Sequence, residues 1–307
     1  MSGTAGKTQF WPILRTAFIA LYNGYRPAVE SAAKVRGIES PAWEYLLYIL
    51  VFRGEPLSAA GMRVRGPYTS ARLFAERFET LARPGYLSRE GADPADAEAA
   101  QYSPTKAGLS VAHSFLHAVH AAMTGLSPLP LTELERLATL LERAVHACLK
   151  PSAPLGGWCI KHSRNLDPGP GAHVVARIDQ YFSDLAAYRD DCHISSWKGH
   201  GVDGHAWEIL TFVWRNQADS LDALREKLKH RGFTQEETTR ALQELLDRGW
   251  IEGTPVRYSA TAVGSDVRQT AQDTTDTLFN APFACLDDAE KAELVTLLEK
   301  LAKAFEK

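Results

Sequence analysis

The chain has 307 residues, of which 45% are hydrophobic and 23% are charged, and its formal net charge is −3. This length allows about two domains of ~150 residues, and the composition is that of an ordinary globular protein rather than a nonspecific polyanion binder. No run of ~18 apolar residues is present to span a bilayer, and the amino terminus lacks an export signal, so we expect a cytoplasmic chain without membrane contact.

Hydrophobic periodicity in the first half predicts six helices and one hairpin. A long amphipathic helix opens this half, because Leu14, Leu21 and Tyr25 recur at helical spacing. Two short helices in succession have the spacing of a helix-turn-helix, and the two brief strands behind them have the place of a wing. In chain order the predicted elements are helices over 10–35, 41–52, 57–64 and 69–81, a hairpin over 86–103, and helices over 104–123 and 131–149.

The second half repeats the first. Gly85 and Gly249 are 164 residues apart, whereas Tyr102 and Tyr258 are 156 apart, because eight extra residues lie at the first hairpin tip. The repeated elements are helices over 175–188, 204–215, 221–229 and 235–246, a hairpin over 250–259, and helices over 260–279 and 286–305. This pattern predicts a first unit over 8–150, a Pro/Gly-rich linker over 151–172 and a second unit over 173–307.

The order of these elements resembles that of the MarR family of regulators, twice over. The motifs that carry the resemblance are 188–193 (Tyr-Arg-Asp-Asp-Cys-His), 65–68 (Arg-Gly-Pro-Tyr) and the Tyr-x-x-Thr-x-x-Gly after each hairpin. The resemblance implies that the first, fifth and sixth helices of each unit form a dimer-like interface around the winged helix-turn-helix. The expected fold is therefore mainly α, with tandem winged helix-turn-helix units forming a MarR-like pseudo-dimer in one chain, so that the protein is expected to be a monomer.

The resemblance also implies that double-stranded DNA is a partner, with the second helix of the helix-turn-helix in the major groove. The first unit carries basic and hydroxyl side chains where phosphate and base-edge contacts are needed: Arg63, Arg65, Thr69, Ser70, Arg72 and Arg77. The second unit is expected to bind less well, because its equivalent helix opens with Glu236 and Glu237. The first hairpin tip, 92–98, is also acidic, which keeps open a winged helix retained only as a scaffold.

A small-molecule site is expected between the two halves, where the first and fifth helices carry polar residues. His117 and His120 lie on one helical face, and the polar cluster at 189–193 is more elaborate than its first-half counterpart. The predicted ligand-binding residues are Tyr25, Glu30, His117, His120, Trp158, Arg189, Asp191, His193 and Asp273. The alternatives are a local ion-pair and capping cluster for 189–193 and a hydrogen-bonded interface for the histidines, and no metal site is expected.

These patterns predict a ligand-responsive DNA-binding transcriptional regulator. The alternative is a MarR-like fold that binds or transforms a small molecule without binding DNA, with its acid and base groups in the same site. No nucleophile elbow, phosphate-binding glycine loop or CxxC pair is present to name a reaction, so the enzyme question stays open and no cofactor is expected. The cysteines are expected to be reduced, buried thiols.

Overall fold

A computed structural model describes residues 9–38, 42–90, 98–150 and 157–306. The described chain is mainly helical with two small antiparallel sheets, which confirms the mainly α prediction at that level. It divides into two compact units: unit 1 comprises Met1–Arg53, Ser110–Cys192 and Asp276–Lys307, and unit 2 comprises Gly54–Leu109 and His193–Thr275. Each unit takes segments from both sequence halves, and the division into copies at 151–172 stays a prediction.

The elements follow the predicted order closely. The first half contains α1 (Phe10–Val35), α2 (Ala42–Val51), β1 (Leu57–Ser58), α3 (Ala59–Arg65), α4 (Ala71–Ala82), β2 (Leu87–Glu90), β3 (Gln101–Pro104), α5 (Lys106–Thr124) and α6 (Leu131–Cys148). The second contains α7 (Trp158–Ser163), α8 (Val174–Trp197), α9 (Gly204–Trp214), α10 (Leu221–Leu228), α11 (Gln235–Asp247), β4 (Ile251–Thr254), β5 (Arg257–Ala260), α12 (Ala262–Asn280) and α13 (Asp288–Lys303). Across the described ranges, no helix is long and apolar enough to cross a membrane.

Unit 1 is built around the long helix α1. Buried residues recur every three or four positions along α1, so one stripe of the helix packs against α13. Near its start, Phe10 stacks on Phe283 with ring centroids 4.2 Å apart. A Cβ atom on Gly24 would lie 2.3 Å from the ring of Phe305, so the missing side chain allows the last residues of the chain to approach α1.

The predicted linker contains a short helix, α7, that the sequence analysis missed. Asp191 of α8 accepts hydrogen bonds from the backbone N–H groups of Cys159 and Ile160, at 2.9 and 3.0 Å. These N–H groups belong to the first turn of α7 and have no partner within the helix, so the carboxylate satisfies and caps them. A residue of another helix thus holds α7 in place.

A buried polar network fixes the segment after α7 on α8. Asp184 is fully buried and accepts hydrogen bonds from Ser163 Oγ at 2.7 Å, Arg164 Nη1 at 2.8 Å and Gln180 Nε2 at 2.8 Å. Burial raises the pKa of the Asp184 carboxyl, and the Arg164 guanidinium and the other donors oppose that rise. Because a buried carboxylate needs such partners, the network holds the linker residues on the helix.

Unit 2 contains two helix pairs, α3–α4 and α10–α11, each followed by an antiparallel hairpin. Ser70 and Thr234 cap the second helix of the two pairs, each by accepting a hydrogen bond from the backbone N–H three residues further on, at 3.2 and 3.1 Å. These two caps are 164 residues apart, the same offset as the turn glycines Gly85 and Gly249. The local geometry that starts and ends the second helix is therefore the same in both pairs.

Each hairpin is closed onto the following helix by a glycine. A Cβ atom on Gly108 would lie 2.0 Å from the backbone oxygen of Tyr86, and one on Gly264 would lie 1.9 Å from that of Trp250. Only glycine permits such an approach of helix to hairpin. In the first hairpin β1 pairs with β3 as a third strand, which the sequence analysis did not predict. Of the acidic tip predicted at 92–98, residues 92–97 lie outside the described residues.

All four cysteines of the chain belong to unit 1. Cys148, Cys159 and Cys192 are buried, Cys285 is half-buried, and the four are reduced. Burial raises the pKa of the Cys148 and Cys285 thiols, and it raises the pKa of Cys192 to about 12. These thiols therefore stay protonated near neutral pH.

Candidate nucleic-acid interface

The turn of the first helix pair packs against the turn of the second, both within unit 2. Ser70 donates its backbone N–H to the carbonyl oxygen of Arg231 at 2.9 Å, and its hydroxyl donates to the carbonyl oxygen of Gly232 at 3.0 Å. Arg72 donates to the same Gly232 oxygen. The start of α4 is thus bonded to the segment that precedes α11. We call the contact of 63–73 with 203–208 and 229–237 the turn interface.

Arg231 links the parts of the turn interface. Its guanidinium binds the carboxylate of Glu208 on α9 through two nitrogens, at 2.6 and 3.0 Å. It also lies over the ring of Tyr68, 5.8 Å from the ring centroid, and donates to Thr69 Oγ1 at 3.4 Å. The Tyr68 hydroxyl accepts a hydrogen bond from Trp197 Nε1 at 2.8 Å. A residue of the first turn therefore packs on the core of the second helix pair.

Two glycines allow the turn interface to close. Gly232 has a left-handed backbone (φ 74°), and a Cβ atom there would lie 2.8 Å from both Leu73 Cβ and Ser70 Oγ. A Cβ atom on Gly204 would lie 2.4 Å from the backbone oxygen of Pro67. Larger side chains at these positions would separate the two turns.

The hydroxyl residues predicted to contact DNA are covered by this interface. Thr69 is 8% exposed and Ser70 is 4% exposed, and both hydroxyls are hydrogen-bonded within it. In the described structure both hydroxyls bind internal partners, and DNA contacts of Thr69 and Ser70 stay a prediction. The second turn covers the start of α4, whereas Glu76 and Thr80 further along the helix are exposed.

The predicted arginines have different surroundings. Arg63 forms an ion pair with Asp203 at 2.7 Å at the edge of the turn interface, so its charge is neutralised within the protein. Arg65 and Arg77 are half-buried, whereas Arg72 is exposed although it donates to the second turn. DNA contacts of Arg65, Arg72 and Arg77 stay a prediction.

The outward face of α11 carries polar residues that the sequence analysis did not assign. Five exposed side chains line a shallow depression on this face: Gln235, Glu236, Thr239, Arg240 and Gln243. Their spacing along the helix places them opposite the buried residues Ala241, Leu242 and Leu245. Arginine, glutamine, glutamate and threonine are side chains that contact base edges in the major groove. The spacing of these polar residues could have indicated a DNA-contacting face. The two carboxylates in the first turn of α11 led instead to the expectation that this helix binds DNA less well.

A buried histidine lies at the base of the second helix pair. His205 is 2% exposed, stacks on Phe233 at 3.8 Å between ring centroids, and has Nε2 3.1 Å from Thr238 Oγ1. Its Nδ1 has no hydrogen-bond partner among the described residues. Burial lowers the pKa of His205 to about 4, against the opposing charges of Asp203 and Glu237. The imidazole is therefore neutral near neutral pH.

Among the predicted ligand-site residues, Tyr25 contacts an acidic residue that the sequence analysis missed. The Tyr25 hydroxyl on α1 donates to Asp179 Oδ1 on α8 at 2.8 Å, within unit 1. Burial raises the pKa of the Asp179 carboxyl to about 7, against the hydrogen bond from Tyr25. This pair joins the two opening helices of the sequence halves through one polar contact.

Arg189 lies in an aromatic setting. It forms an ion pair with Asp276 at 2.8 Å, and its guanidinium lies 5.0 Å from the ring centroid of Trp11 and 5.3 Å from that of Phe279. Ion pairing and cation–π contacts both stabilise the guanidinium in this half-buried position. Arg189 thus pairs with a residue of α12 and not within α8, and its role in ligand binding stays a prediction.

Asp191 and Trp158 belong to the linker contact. Both Asp191 oxygens accept backbone N–H groups of α7, so capping occupies the carboxylate that was predicted to bind a ligand. Trp158, the first residue of α7, packs on His162 at 4.0 Å and on Phe52 at 5.7 Å between ring centroids. The aromatic contacts hold α7 against Phe52, the residue that follows α2.

The remaining histidines and carboxylates have separate neighbours. In unit 1, Glu30 is exposed and paired with Arg26 at 2.7 Å. His117 is exposed on α5, and burial followed by the His117 charge lowers the pKa of the half-buried His120. In the residues that the structure describes, no group of three or more His, Cys, Asp or Glu side chains is placed to hold a metal ion.

Two of the predicted ligand residues belong to unit 2. His193 Nδ1 lies 3.3 Å from Thr275 Oγ1, and the exposed carboxylate of Asp273 accepts a hydrogen bond from Gln269 at 2.7 Å. The nine predicted ligand residues thus have several different sets of neighbours, and ligand binding by them stays a prediction.

Comparison with known proteins decides the family. Residues 19–307 match a helix-turn-helix family. The chain belongs to this helix-turn-helix family. No curated protein and no solved structure matches the chain. Because the helix-turn-helix is a DNA-binding element, this family member is at a coarse level a DNA-binding regulator.

Proposed function

We propose that the protein is a ligand-responsive transcriptional regulator that binds double-stranded DNA and is built from two MarR-like winged units in one chain. The units extend over 8–150 and 173–307, with the linker over 151–172. The observation that carries the duplication is the recurrence of the same local devices: helix caps and turn glycines at an offset of 164 residues, then hairpin-closing glycines at 156. One chain then supplies both halves of the pseudo-dimer, so the functional form is a monomer.

The ligand part of the proposal rests on Tyr25 and Asp179. They come from the two sequence halves, and the carboxyl has a pKa of about 7, so a small change in its surroundings changes its charge near neutral pH. A small molecule that contacts this pair better in one arrangement of α1 and α8 than in another would shift the population of the two arrangements. Coupling of that shift to DNA affinity would make the regulator ligand-responsive.

The DNA part is tested by selection from a pool of random duplexes with the full-length chain, followed by fluorescence anisotropy at several salt concentrations. We expect one sequence to be enriched and bound about a thousandfold more tightly than random duplex. Failure to enrich any sequence, with affinity that vanishes at physiological salt, would contradict DNA-binding regulation.

The ligand part is tested by calorimetry with a panel of aromatic acids and amines. Asp179→Asn should weaken binding of any compound that binds, whereas the matched Asp288→Asn variant should not, because Asp288 is exposed and paired with Lys291. Equal affinities of wild type and Asp179→Asn for the compound would show that Asp179 is not part of the ligand site.

A second function is favoured by the burial of Thr69 and Ser70. A MarR-like fold that binds or transforms a small molecule without DNA has no need of an accessible α4. Compound binding without any enriched DNA sequence would support this second function over the first.

A further inference from the structure

The two candidate recognition helices carry opposite side chains at equivalent positions. The caps Ser70 and Thr234 set the correspondence at 164 residues, which aligns Arg240 of α11 with Glu76 of α4. The same offset aligns Gln243 with Glu79, and it aligns Glu236 with Arg72, whose guanidinium donates to Gly232 in the turn interface. Where α11 presents a cation and an amide, α4 presents two carboxylates, which repel the phosphate backbone.

Glu79 also has a task inside the first helix pair. It accepts a hydrogen bond from the Tyr102 hydroxyl at 2.8 Å and lies 3.3 Å from Arg89 in an ion pair, so it joins α4 to its own hairpin. A side chain held in this way is not free to reach a base edge. Glu79 is therefore engaged in contacts within the first helix pair, whereas Glu76 is an exposed carboxylate.

The first turn of α11 is less repulsive than its two glutamates suggest. Glu237 closes a capping box by accepting the backbone N–H of Thr234, and it lies 3.9 Å from the guanidinium of Arg72. Its charge is thus offset by local donors. Glu236 remains as an exposed carboxylate, a side chain that accepts from cytosine N4.

The distance between the two helix starts excludes the arrangement that a symmetric dimer uses. Two recognition helices that enter successive major grooves on one face of a duplex are roughly 34 Å apart. Here the first turns of α4 and α11 approach to 3.9 Å between Arg72 and Glu237, and Ser70 is bonded to Gly232. Both helices cannot enter successive grooves while the turn interface is formed.

We infer that the protein reads DNA through α11 alone, in one major groove of a site without two-fold symmetry. The first helix pair then supports the second through the turn interface. This inference rests on the proposed DNA-binding function. It reverses the preference for the first helix pair that the charges along the sequence had indicated.

Selection with the full-length chain tests the inference through the symmetry of the enriched sites. We expect a single conserved block without an inverted repeat. Arg240→Ala should lower affinity for the selected site at least tenfold and relax the preference at one base pair, whereas the matched variant Glu76→Ala should change affinity less than twofold. Arg240→Lys should keep the salt dependence but lose the base preference, because lysine lacks the bidentate geometry.

The outcomes separate this inference from the proposed function. Sites that form inverted repeats about one helical turn apart, with Glu76→Ala and Arg240→Ala equally damaging, overturn the single-helix inference and leave DNA binding intact. No enriched sequence at all overturns both. Because Arg240 is exposed and alanine favours helix, loss of folding is not expected, and circular dichroism of each variant checks this.

Discussion

The helix pairs α3–α4 and α10–α11 share their caps, turn glycines and hairpins, yet they differ in which surface meets solvent. In the first pair the helix cap Ser70 is buried in the turn interface, whereas in the second pair the equivalent cap Thr234 is exposed. Local sequence rules build the same element twice. The exposed side chains, which capping and turn formation do not constrain, decide whether a helix pair supports its neighbour or binds DNA. A shared fold therefore does not determine function.

The largest effect is expected at Gly232, which the second turn contributes to the interface. Gly232→Ala should lower the free energy of unfolding by about 3 kcal/mol, because it adds a strained left-handed backbone to clashes with Leu73 and Ser70. Gly249→Ala is the matched control, since it has a similar φ of 65° with nothing within 4 Å, and should cost about 1 kcal/mol. Equal losses in urea denaturation would show that the interface contributes nothing.

Acid should destabilise the second helix pair through His205. Its pKa is lowered to about 4 in the folded chain, so the unfolded chain binds the proton first, and stability is lost as pH falls from about 6.5 towards 4. We expect about 2 kcal/mol of this loss between pH 7.5 and 5.

The His205→Gln variant should lack that share of the pH dependence, whereas the exposed His230→Gln control should keep it. Denaturation curves at the two pH values measure both. A His205→Gln variant with the wild-type pH dependence would refute the assignment.

The Arg231–Glu208 pair should matter more than an exposed pair nearby. Glu208→Ala removes both bonds from a guanidinium that also holds Thr69 and Tyr68, and should cost about 1.5 kcal/mol. Glu226→Ala breaks the exposed pair with Lys229 and should cost under about 0.5 kcal/mol. Thermal unfolding of the two variants measures both costs. Similar losses of stability would show that the Arg231–Glu208 pair contributes no more than the exposed pair.

The smallest contrast is between the two caps. Thr234→Ala loses a cap worth about 1 kcal/mol, whereas Ser70→Ala loses a cap and also the bond to Gly232, so it should cost about 1 kcal/mol more. Equal losses of unfolding free energy in Ser70→Ala and Thr234→Ala, measured by urea denaturation, would mean that the Ser70 hydroxyl acts only as a cap.

Periodicity predicted the helices well because burial follows it. The predicted bounds of α1 are those observed, since its buried apolar stripe continues from Phe10 to Ala33, next to the last turn of the helix. The start of α4 was placed two residues early, because Ser70 is the cap and precedes the helix. The mainly α class and the helix-turn-helix family are confirmed on this basis.

The turn interface and α7 could not be predicted because both depend on distant residues. The residue that caps α7 is Asp191, more than thirty residues along the chain from Cys159, whose backbone N–H it accepts. The burial of Ser70 depends on Gly232, where a side chain would clash with Leu73. That clash is visible only once the two turns are placed together. Charges along the chain favoured the first helix pair, but they carry no information on which surface another turn covers.

The cysteines make the two units different in their reactivity towards thiol reagents. The thiolate is the reactive form of cysteine, and Cys148, Cys159 and Cys192 are buried, with the pKa raised for Cys148 and Cys192. Unit 2 contains no cysteine. The rate at which a maleimide labels the native chain would therefore report the opening of unit 1 alone. The mass of the labelled protein would give the number of exposed thiols, without an engineered cysteine.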